Sequence, residues 1–581
     1  MPTVFKTFYR IAFWISLLGV LAFIGDFGFV QRTTTQLILN KFYFVVLIVG
    51  ALTTILRYIQ KKKIFKKTVF AFDLLTVLFS IFIFLIHLFK VKPDFLPELF
   101  YNAIWVKLAV ILTFIREFSE VRLNYKRTTL NPAQLFIASF LSIITLGALL
   151  LMLPNATHDG ISLVDALFTS TSAVCVTGLI VVDTGSYFTE FGQIVIMLLF
   201  QIGGLGILTF TSYFSYFFKG GSSYENHLAL RDMISSQKLG EVFSTLRYII
   251  LITFIIELIS GIVIYFSLDP GQFESNYDQI FFAVFHAISA FCNAGFSLLT
   301  NSIYEDGFKF NYFLQLAVAF TFIIGGLGFP IVANILKYLK YKILNLIRLG
   351  KKQIIKPWVL NINSRITLIT TFSITIVAFV LFFVLEYNNT LEEHGFWGKV
   401  VTAFFGAATP RTAGFNSVDT AALGFSTLMI VFLLMWIGAS PSSTGGGIKT
   451  STFAVATLNI FSQAKGKSRI EVFRRQIADI SVRRAFAVIS LSLIAIGVGV
   501  MLIAVFDEDK SLMSIAFECF SAYGTVGLSL GITADLSVAG KIVIMVMMFV
   551  GRVSMLTVLI AVFRRVQHKN YSYPTEEIMI N

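Results

Sequence analysis

Four short stretches that end in glycine are the part of this sequence with the clearest capacity for chemistry. They are Cys175-Val176-Thr177-Gly178, Cys292-Asn293-Ala294-Gly295, Arg411-Thr412-Ala413-Gly414 and Gly524-Thr525-Val526-Gly527. Each is followed by Leu or Phe, and the four glycines recur at intervals of about 115 residues, the kind of regular period that marks internal repeats. This period indicates one structural unit that is used four times.

A ring of backbone carbonyl groups is the chemistry that these stretches favour. Glycine permits backbone torsions that are closed to other residues and lets the chain approach an ion closely. Carbonyl oxygens from four loops can then replace the hydration shell of a monovalent cation. The candidate ion-binding residues are Val176, Thr177, Gly178, Asn293, Ala294, Gly295, Thr412, Ala413, Gly414, Thr525, Val526 and Gly527. The alternative, four unrelated glycine turns, leaves the matched spacing unexplained.

The composition places these loops in a membrane. The chain has 581 residues, of which 56% are hydrophobic and 13% are charged. Apolar segments of about 20 residues recur along it, which predicts an all-α protein with many membrane-spanning helices and a surface in contact with lipid. A net charge of +14 could indicate a nucleic-acid partner, but the basic residues cluster between the spans. This distribution favours the positive-inside rule and no nucleic acid.

The apolar segments and the glycine stretches together predict the domain organisation. Each glycine stretch follows a span and a half-length helix and precedes a second span, which gives four tandem helix–pore-loop–helix repeats. The predicted domains are a four-helix extension at 1–130 and repeats at 131–236, 237–350, 351–470 and 471–581. The basic clusters predict a plasma-membrane protein whose termini are cytoplasmic and whose glycine loops all face outward.

Acidic residues also occur in the loops that are predicted to face outward. They are Asp165, Asp183, Asp269, Glu274, Asp278, Glu392, Glu393, Asp507, Glu508 and Asp509. An acidic outer vestibule would raise the local concentration of cations. An ordinary topological bias explains the same residues equally well.

Two features of the later spans indicate a control element. The second span of repeat 3 is interrupted at Gly438–Lys449, where a proline and three consecutive glycines must break the helix. A polar break is tolerated at membrane depth beside a water-filled path, although a simple kink is the alternative. Arg552 lies within the last span, where an arginine usually pairs or faces a cavity. The motifs Gly203–Gly206 and Gly325–Gly328 predict close helix packing.

With these motifs the chain resembles the TrkH/KtrB/HKT superfamily of potassium-translocating membrane subunits. The resemblance rests on the glycine loops with their flanks, Ser172–Leu179, Asn293–Phe296, Thr409–Phe415 and Tyr523–Leu528, and extends over residues 131 to 565. It implies potassium uptake through a carbonyl-lined selectivity filter, with K+ as the transported ion. A glycine at the position of Gly178 goes with potassium selectivity in that family, whereas a serine goes with sodium permeation.

The resemblance also implies gating, assembly and regulation. The break would be an intramembrane gating loop, in which Gly445, Gly446, Gly447 and Lys449 obstruct the path and Arg552 contacts the loop. A homodimer is implied, together with a cytoplasmic nucleotide-binding ring subunit of the TrkA/KtrA type. Because this chain has no nucleotide motif, any nucleotide would act through that partner. The basic loops at 219–246, 337–364 and 460–484 are the expected docking surface, and contact with anionic lipid is an alternative role for them.

Other functional classes remain as alternatives. A sodium- or proton-coupled cation symporter with the same pore fold is the runner-up to a gated pore. A membrane enzyme would need paired carboxylates or clustered histidines within the spans, which the sequence does not offer, so no enzymatic activity is expected. The four N-terminal segments, at 11–30, 41–59, 68–89 and 97–116, are predicted to form an accessory bundle. A faint likeness to voltage sensors is weakened because the fourth segment carries only Lys107 and Arg116.

Overall fold

Helices make up nearly all of the regular structure in the computed structural model, which describes residues 3–60, 67–89, 102–120, 132–206, 242–347 and 360–563. In these ranges lie nineteen α-helices: α1 (Thr3–Gly28), α2 (Thr33–Gln60), α3 (Lys67–Phe89), α4 (Ile104–Glu120), α5 (Pro132–Leu151), α6 (Leu163–Cys175), α7 (Glu190–Leu205), α8 (Val242–Ser267), α9 (Asn276–Cys292), α10 (Tyr312–Leu327), α11 (Phe329–Ile347), α12 (Ile362–Glu386), α13 (Phe396–Ala408), α14 (Phe425–Trp436), α15 (Thr450–Ala464), α16 (Asp479–Phe506), α17 (Leu512–Gly524), α18 (Val538–Val553) and α19 (Met555–Val562). Two short antiparallel strands, β1 (Glu471–Val472) and β2 (Arg475–Gln476), follow α15.

The length and composition of the helices fit a membrane protein. Six described helices are long and apolar enough to span a bilayer, and two bent pairs, α10 with α11 and α18 with α19, raise the number to eight. The chain turns by 104° between the first pair and by 90° between the second. The predicted all-α membrane class is thus confirmed. Helix α7 ends at Leu205, and residues 207–241 lie outside the described ranges.

The N-terminal helices α1 to α4 form a bundle with its own core of Tyr43, Leu47, Ile83, Val106 and Val110. Helix α4 begins at Ile104, seven residues later than the predicted segment. The two cations of α4 are both paired: Lys107 Nζ lies 2.8 Å from Asp26 Oδ2, and Arg116 Nε lies 2.5 Å from Asp73 Oδ1. Since both charges are neutralised by neighbouring helices, α4 does not present a free ladder of cations.

The bundle joins the rest of the molecule at one end of α1. Asn155 Nδ2 donates a hydrogen bond to Phe27 O over 3.0 Å, and the rings of Phe27 and Phe191 stack with their centroids 6.0 Å apart. Leu153 packs against Gly28 so closely that a side chain there would have to displace it. These contacts fix α1 beside the loop that follows α5.

The remaining fifteen helices fall into four groups in chain order, α5–α7, α8–α11, α12–α15 and α16–α19. Each group contains one half-length helix, α6, α9, α13 or α17, that ends at a glycine loop. Serines begin three of them: Ser162, Ser275 and Ser511 accept hydrogen bonds from backbone N–H groups in the first turn, which stabilises a helix start. The half-length helices are largely buried in the centre of the molecule, as positioning a shared site requires.

Three of the predicted domain boundaries lie outside the described residues, and the fourth, at 470, coincides with the start of β1. The basic loops are described only in part. Residues 219–241 and 348–359 are outside the described ranges, whereas 460–484 contains the end of α15 and the β1–β2 pair. The domain limits therefore remain predictions.

Candidate ion pathway

The four glycine loops share one backbone conformation. Each half-length helix leads into a residue with positive φ two positions before the glycine: Val176 (58°), Asn293 (60°), Thr412 (74°) and Thr525 (49°). The glycines follow with φ of 90° at Gly178, 69° at Gly295, 80° at Gly414 and 94° at Gly527. Positive φ is rare and sterically unfavourable for β-branched residues such as valine and threonine. Four copies of it indicate a conformation that the surrounding structure imposes.

The loops meet in a closed ring. A Cβ atom on Gly178 would overlap Ala294 O, and a Cβ on Gly295 would lie 3.0 Å from Ala413 O. In the same way, a Cβ on Gly414 would overlap Val526 O, and one on Gly527 would overlap Thr177 O. Each glycine thus abuts the carbonyl that precedes the glycine of the next repeat, and the fourth repeat closes on the first. The structure therefore brings the four sequence-predicted triplets together.

Hydroxyl groups behind the ring hold the loops. Ser172 Oγ accepts a hydrogen bond from Gly178 N over 3.1 Å, and Ser521 Oγ accepts one from Gly527 N over 3.1 Å. In repeats 2 and 3 the hydroxyl donates instead to the carbonyl after the glycine: Ser289 Oγ to Phe296 O over 2.7 Å, and Thr409 Oγ1 to Phe415 O over 2.5 Å. These bonds satisfy backbone N–H and C=O groups of the loops that would otherwise be buried without a partner.

A cavity of about 320 Å³ lies on the side of the ring that is formed by the residues following the four glycines. It is called the vestibule. The four ring glycines line it, together with residues from 180–184, 297–302, 416–421 and 528–534. Among the described residues, Asp419 is the one acid that lines it, and the sequence did not single it out. None of the ten loop acids considered in the sequence lines it. Several serve local structure instead, as when Asp165 Oδ1 pairs with Lys541 Nζ at 2.8 Å.

The break in repeat 3 lies on the opposite side of the ring and is named the crossing loop (Gly438–Lys449). Gly446 N donates to Thr525 Oγ1 over 2.9 Å, and Thr444 Oγ1 donates to Asn293 Oδ1 over 3.0 Å. Gly445 packs so closely on Thr412 that a Cβ would overlap its hydroxyl. The crossing loop thus contacts the positive-φ residues of repeats 2, 3 and 4 directly.

Two cations tie the crossing loop in place. Lys449 Nζ donates to Gly445 O over 2.6 Å and to Gly446 O over 3.3 Å, which closes the loop on itself. Arg552 donates to Thr444 O of the crossing loop and to Gly203 O at the end of α7. Because α18 ends at Val553 and the chain then turns by 90°, Arg552 lies at a helix break, where its side chain reaches inward to the crossing loop.

Glycines in the second spans allow those helices to approach the loops closely. A Cβ on Gly203, Gly325 or Gly551 would overlap Val174 O, Phe291 O or Tyr523 O respectively, in each case the carbonyl four residues before the ring glycine. At the matching place in repeat 3, Gly438 packs against Gly446 O of the crossing loop. These contacts agree with the packing role inferred from the sequence.

Metal-binding and thiol chemistry have no visible basis in the described part of the chain. No group of three His, Cys, Asp or Glu side chains there is arranged to hold a metal ion. Cys175, Cys292 and Cys519 are free and buried. The site therefore offers backbone carbonyls and hydroxyls, which are hard oxygen ligands suited to an alkali cation.

The fold and the ring define the class of protein: an α-helical membrane protein in which four loops surround one axis. Within that class, the chain belongs to the TrkH family of cation transport proteins, whose family model matches residues 99–573. It is a transport protein and not an enzyme, as predicted. The match to the family model begins after α1 to α3.

Individual relatives agree with this assignment. The chain is 36% identical over 450 residues to Ktr system potassium uptake protein B of Bacillus subtilis, an alignment that covers 77% of this chain and 96% of that protein. It is 35% identical over 463 residues to the potassium/sodium uptake protein NtpJ of Enterococcus hirae, with coverage of 78% and 98%. The crystal structure of the potassium transporter TrkH from Vibrio parahaemolyticus matches with a TM-score of 0.60 at 16% identity, over 90% of this chain and 98% of that one. That match supports the fold alone.

Proposed function

We propose that the protein takes up potassium through the ring of four glycine loops, which acts as a selectivity filter. The observation that carries this proposal is the closed succession of positive-φ glycines, each against the carbonyl of the next repeat. Carbonyl oxygens of the twelve predicted residues, from Val176 to Gly527, would replace the hydration shell of K+. The potassium uptake proteins among the relatives support the choice of ion.

The crossing loop is proposed as the gate. It lies directly across the side of the ring away from the vestibule and is held by hydrogen bonds from Thr444, Gly446 and Lys449. Glycines at 445, 446 and 447 allow it to lie this close and give it freedom to move away. Arg552 holds the loop through Thr444 O and adds a positive charge that repels cations from the path.

The same assignment supports a proposal about localisation and assembly. We place the protein in the plasma membrane with both termini in the cytoplasm, the vestibule outside and the crossing loop toward the inside. A homodimer that binds a cytoplasmic nucleotide-binding ring subunit of the TrkA/KtrA type is proposed. The basic segments at 219–246, 337–364 and 460–484 are its docking surface, and any nucleotide acts through that partner.

A sodium- or proton-coupled symporter on the same fold is the second candidate. It is favoured by one observation, the similarity to a relative named for both potassium and sodium uptake. In that mechanism the ring would still bind the cation, but net uptake would require a second ion gradient.

The experiment that tests both candidates is uptake of K+ into liposomes that contain the purified protein. A gated filter predicts K+ flux down its own gradient without added sodium or a proton gradient. Deletion of Gly445-Gly446-Gly447 is expected to raise this flux, since the shortened loop no longer covers the ring. Flux that needs a second gradient would favour the symporter, and a well-folded deletion variant with unchanged or lower flux would contradict the gate.

A further inference from the structure

Two opposite repeats share a hydrogen-bond arrangement behind the wall of the vestibule. It joins the residue nine positions before the ring glycine to the residue two positions after it. In repeat 2, His286 Nε2 and Ser297 Oγ are 2.9 Å apart, and in repeat 4, Glu518 Oε1 and Ser529 Oγ are 2.5 Å apart. Since the ring runs through the repeats in chain order, repeats 2 and 4 lie across the axis from each other.

The direction of the hydrogen bonds in repeat 2 can be assigned from the partners. His286 Nδ1 lies 2.9 Å from Phe282 O, an acceptor, so Nδ1 carries the proton and Nε2 accepts from Ser297. Ser297 Oγ in turn accepts from Leu299 N over 3.0 Å. A hydroxyl has one hydrogen and two lone pairs, so one lone pair of Ser297 remains free.

The arrangement in repeat 4 is the same with a carboxylate in place of the imidazole. Ser529 Oγ donates to Glu518 and accepts from Gly531 N over 2.8 Å. Thr533 Oγ1 donates to the second oxygen of Glu518 over 2.9 Å, and Leu530 N donates to the first over 3.3 Å. Ser529 Oγ also lies 3.1 Å from Thr533 Oγ1, but Glu518 is the stronger acceptor for both hydrogens.

Ser297, Ser529 and Thr533 all line the vestibule just beyond the ring glycines, while His286 and Glu518 are buried behind them. Because their hydrogens are held toward the buried partners, the two serine oxygens keep a lone pair for the cavity. Glu518 has no salt bridge with any described residue, although it is fully buried. A buried carboxylate without a cation is costly, and a cation in the vestibule would reduce that cost.

We propose that Ser297 Oγ and Ser529 Oγ form an outer binding site for a partly dehydrated monovalent cation above the glycine ring, with Glu518 and His286 as positioning residues. The site rests on the proposed function, for which it would be the first station of the incoming ion. At the same offset, repeats 1 and 3 place Ile180 and Asn416, so the site has two-fold symmetry within a four-fold ring. Repeat 4 supplies the buried carboxyl group of the site, while Asp419 of repeat 3 also lines the vestibule.

The test is the dependence of the initial rate of K+ uptake into proteoliposomes on external K+. Glu518→Gln keeps the shape but removes the charge, and it is expected to raise KM roughly tenfold. Ser297→Ala and Ser529→Ala are each expected to raise KM about threefold, and Ser529→Thr, which keeps the hydroxyl, should restore most of the affinity. Thr169→Val is the matched control. Thr169 occupies the position of Glu518 in repeat 1, and its hydroxyl makes no hydrogen bond with any described residue, so KM should not change.

The outcomes separate this site from the proposed function. If the wild-type protein takes up K+ and the KM is unchanged in Glu518→Gln and in both serine-to-alanine variants, the outer site is wrong and the filter proposal stands. This holds even if the maximal rate falls in the variants. If Glu518→Gln does not fold, the two alanine variants decide alone. Absence of K+ uptake by the wild-type protein would overturn both proposals.

Discussion

The carbonyl oxygen of Ala294 occupies the space that a Cβ atom on Gly178 would need. Gly178 also has a φ of 90°, so both the backbone conformation and the neighbouring loop require glycine at this position. The contact joins repeats 1 and 2, and its counterparts join the other neighbours around the ring. A change at one glycine is therefore transmitted to the carbonyl positions of the next repeat.

Gly178→Ser is expected to weaken the discrimination of K+ from Na+ by roughly tenfold, because strain on the order of 1–3 kcal/mol must be relieved by shifting a ring carbonyl. The measurement is the ratio of K+ to Na+ uptake in proteoliposomes. Gly160→Ser is the matched control, since Gly160 has a φ of 78° but open space around it. Equal selectivity in both variants would remove Gly178 from the filter.

The glycine ring could be foreseen from the sequence because its cause is local. Glycine is needed wherever φ is positive and the backbone approaches another group closely, and the four glycines mark those points at a regular period. The break at Gly438–Lys449 was predictable for a similar reason, since proline and consecutive glycines cannot continue a helix. In both cases, the residue types alone indicate which backbone conformation the chain must adopt.

The contacts across the ring were harder to predict from the sequence. Composition does not tell which loop residues face the axis, so ten acids were considered for the vestibule, whereas Asp419 is the acid that lines it. The His286–Ser297 and Glu518–Ser529 pairs join positions on either side of a loop, and only a comparison of offsets from each glycine would have revealed them. The resemblance implied that Arg552 contacts the crossing loop, but its second contact, with Gly203 O of α7, joins residues that are 349 positions apart in the chain and could not be predicted from the sequence.

Arg552→Ala is expected to increase K+ flux severalfold, since it removes both the hydrogen bond to Thr444 O and the positive charge of the guanidinium group near the path. Arg552→Lys keeps the charge but loses the planar guanidinium whose two terminal nitrogens donate separately to Thr444 O and Gly203 O. Flux through both variants in proteoliposomes separates the two effects. A high flux for Arg552→Lys assigns control to the loop contact, and a low flux assigns it to the charge. Unaltered flux in Arg552→Ala would argue against any part in gating.

Thr444→Val is expected to raise flux about twofold to fivefold without changing selectivity. Its hydroxyl donates to Asn293 Oδ1, so the substitution removes one of the bonds that hold the crossing loop against the ring, worth about 1 kcal/mol. Thr457→Val serves as the control, because Thr457 Oγ1 donates over 2.9 Å only to Phe453 O within α15. Flux and K+/Na+ selectivity are measured in the same preparation. A loss of selectivity with constant flux would mean that Thr444 holds the filter loops in position and does not act in the gate.

The buried ion pairs of the N-terminal bundle predict a stability effect that is separate from transport. Asp73 accepts from Tyr58 Oη over 2.6 Å and pairs with Arg116 Nε at 2.5 Å, and both charged side chains are almost fully buried. Asp73→Asn would remove the carboxylate that pairs with Arg116 Nε, and breaking a buried ion pair from one side costs about 3–5 kcal/mol. The double variant Asp73→Asn with Arg116→Met should recover much of that loss, because no unpaired charge then remains buried.

Thermal unfolding in detergent, followed by intrinsic fluorescence, measures these differences. The pair of Lys309 and the exposed Glu393, at 3.2 Å, supplies the comparison, since Glu393→Gln should change stability by about 0–1 kcal/mol. A small effect of Asp73→Asn, similar to that of Glu393→Gln, would mean that water or another donor compensates Arg116 in the bundle. Because the bundle contacts the pore region at Phe27 and Gly28, at the end of α1, K+ flux through the folded fraction of Asp73→Asn should stay close to the wild-type value.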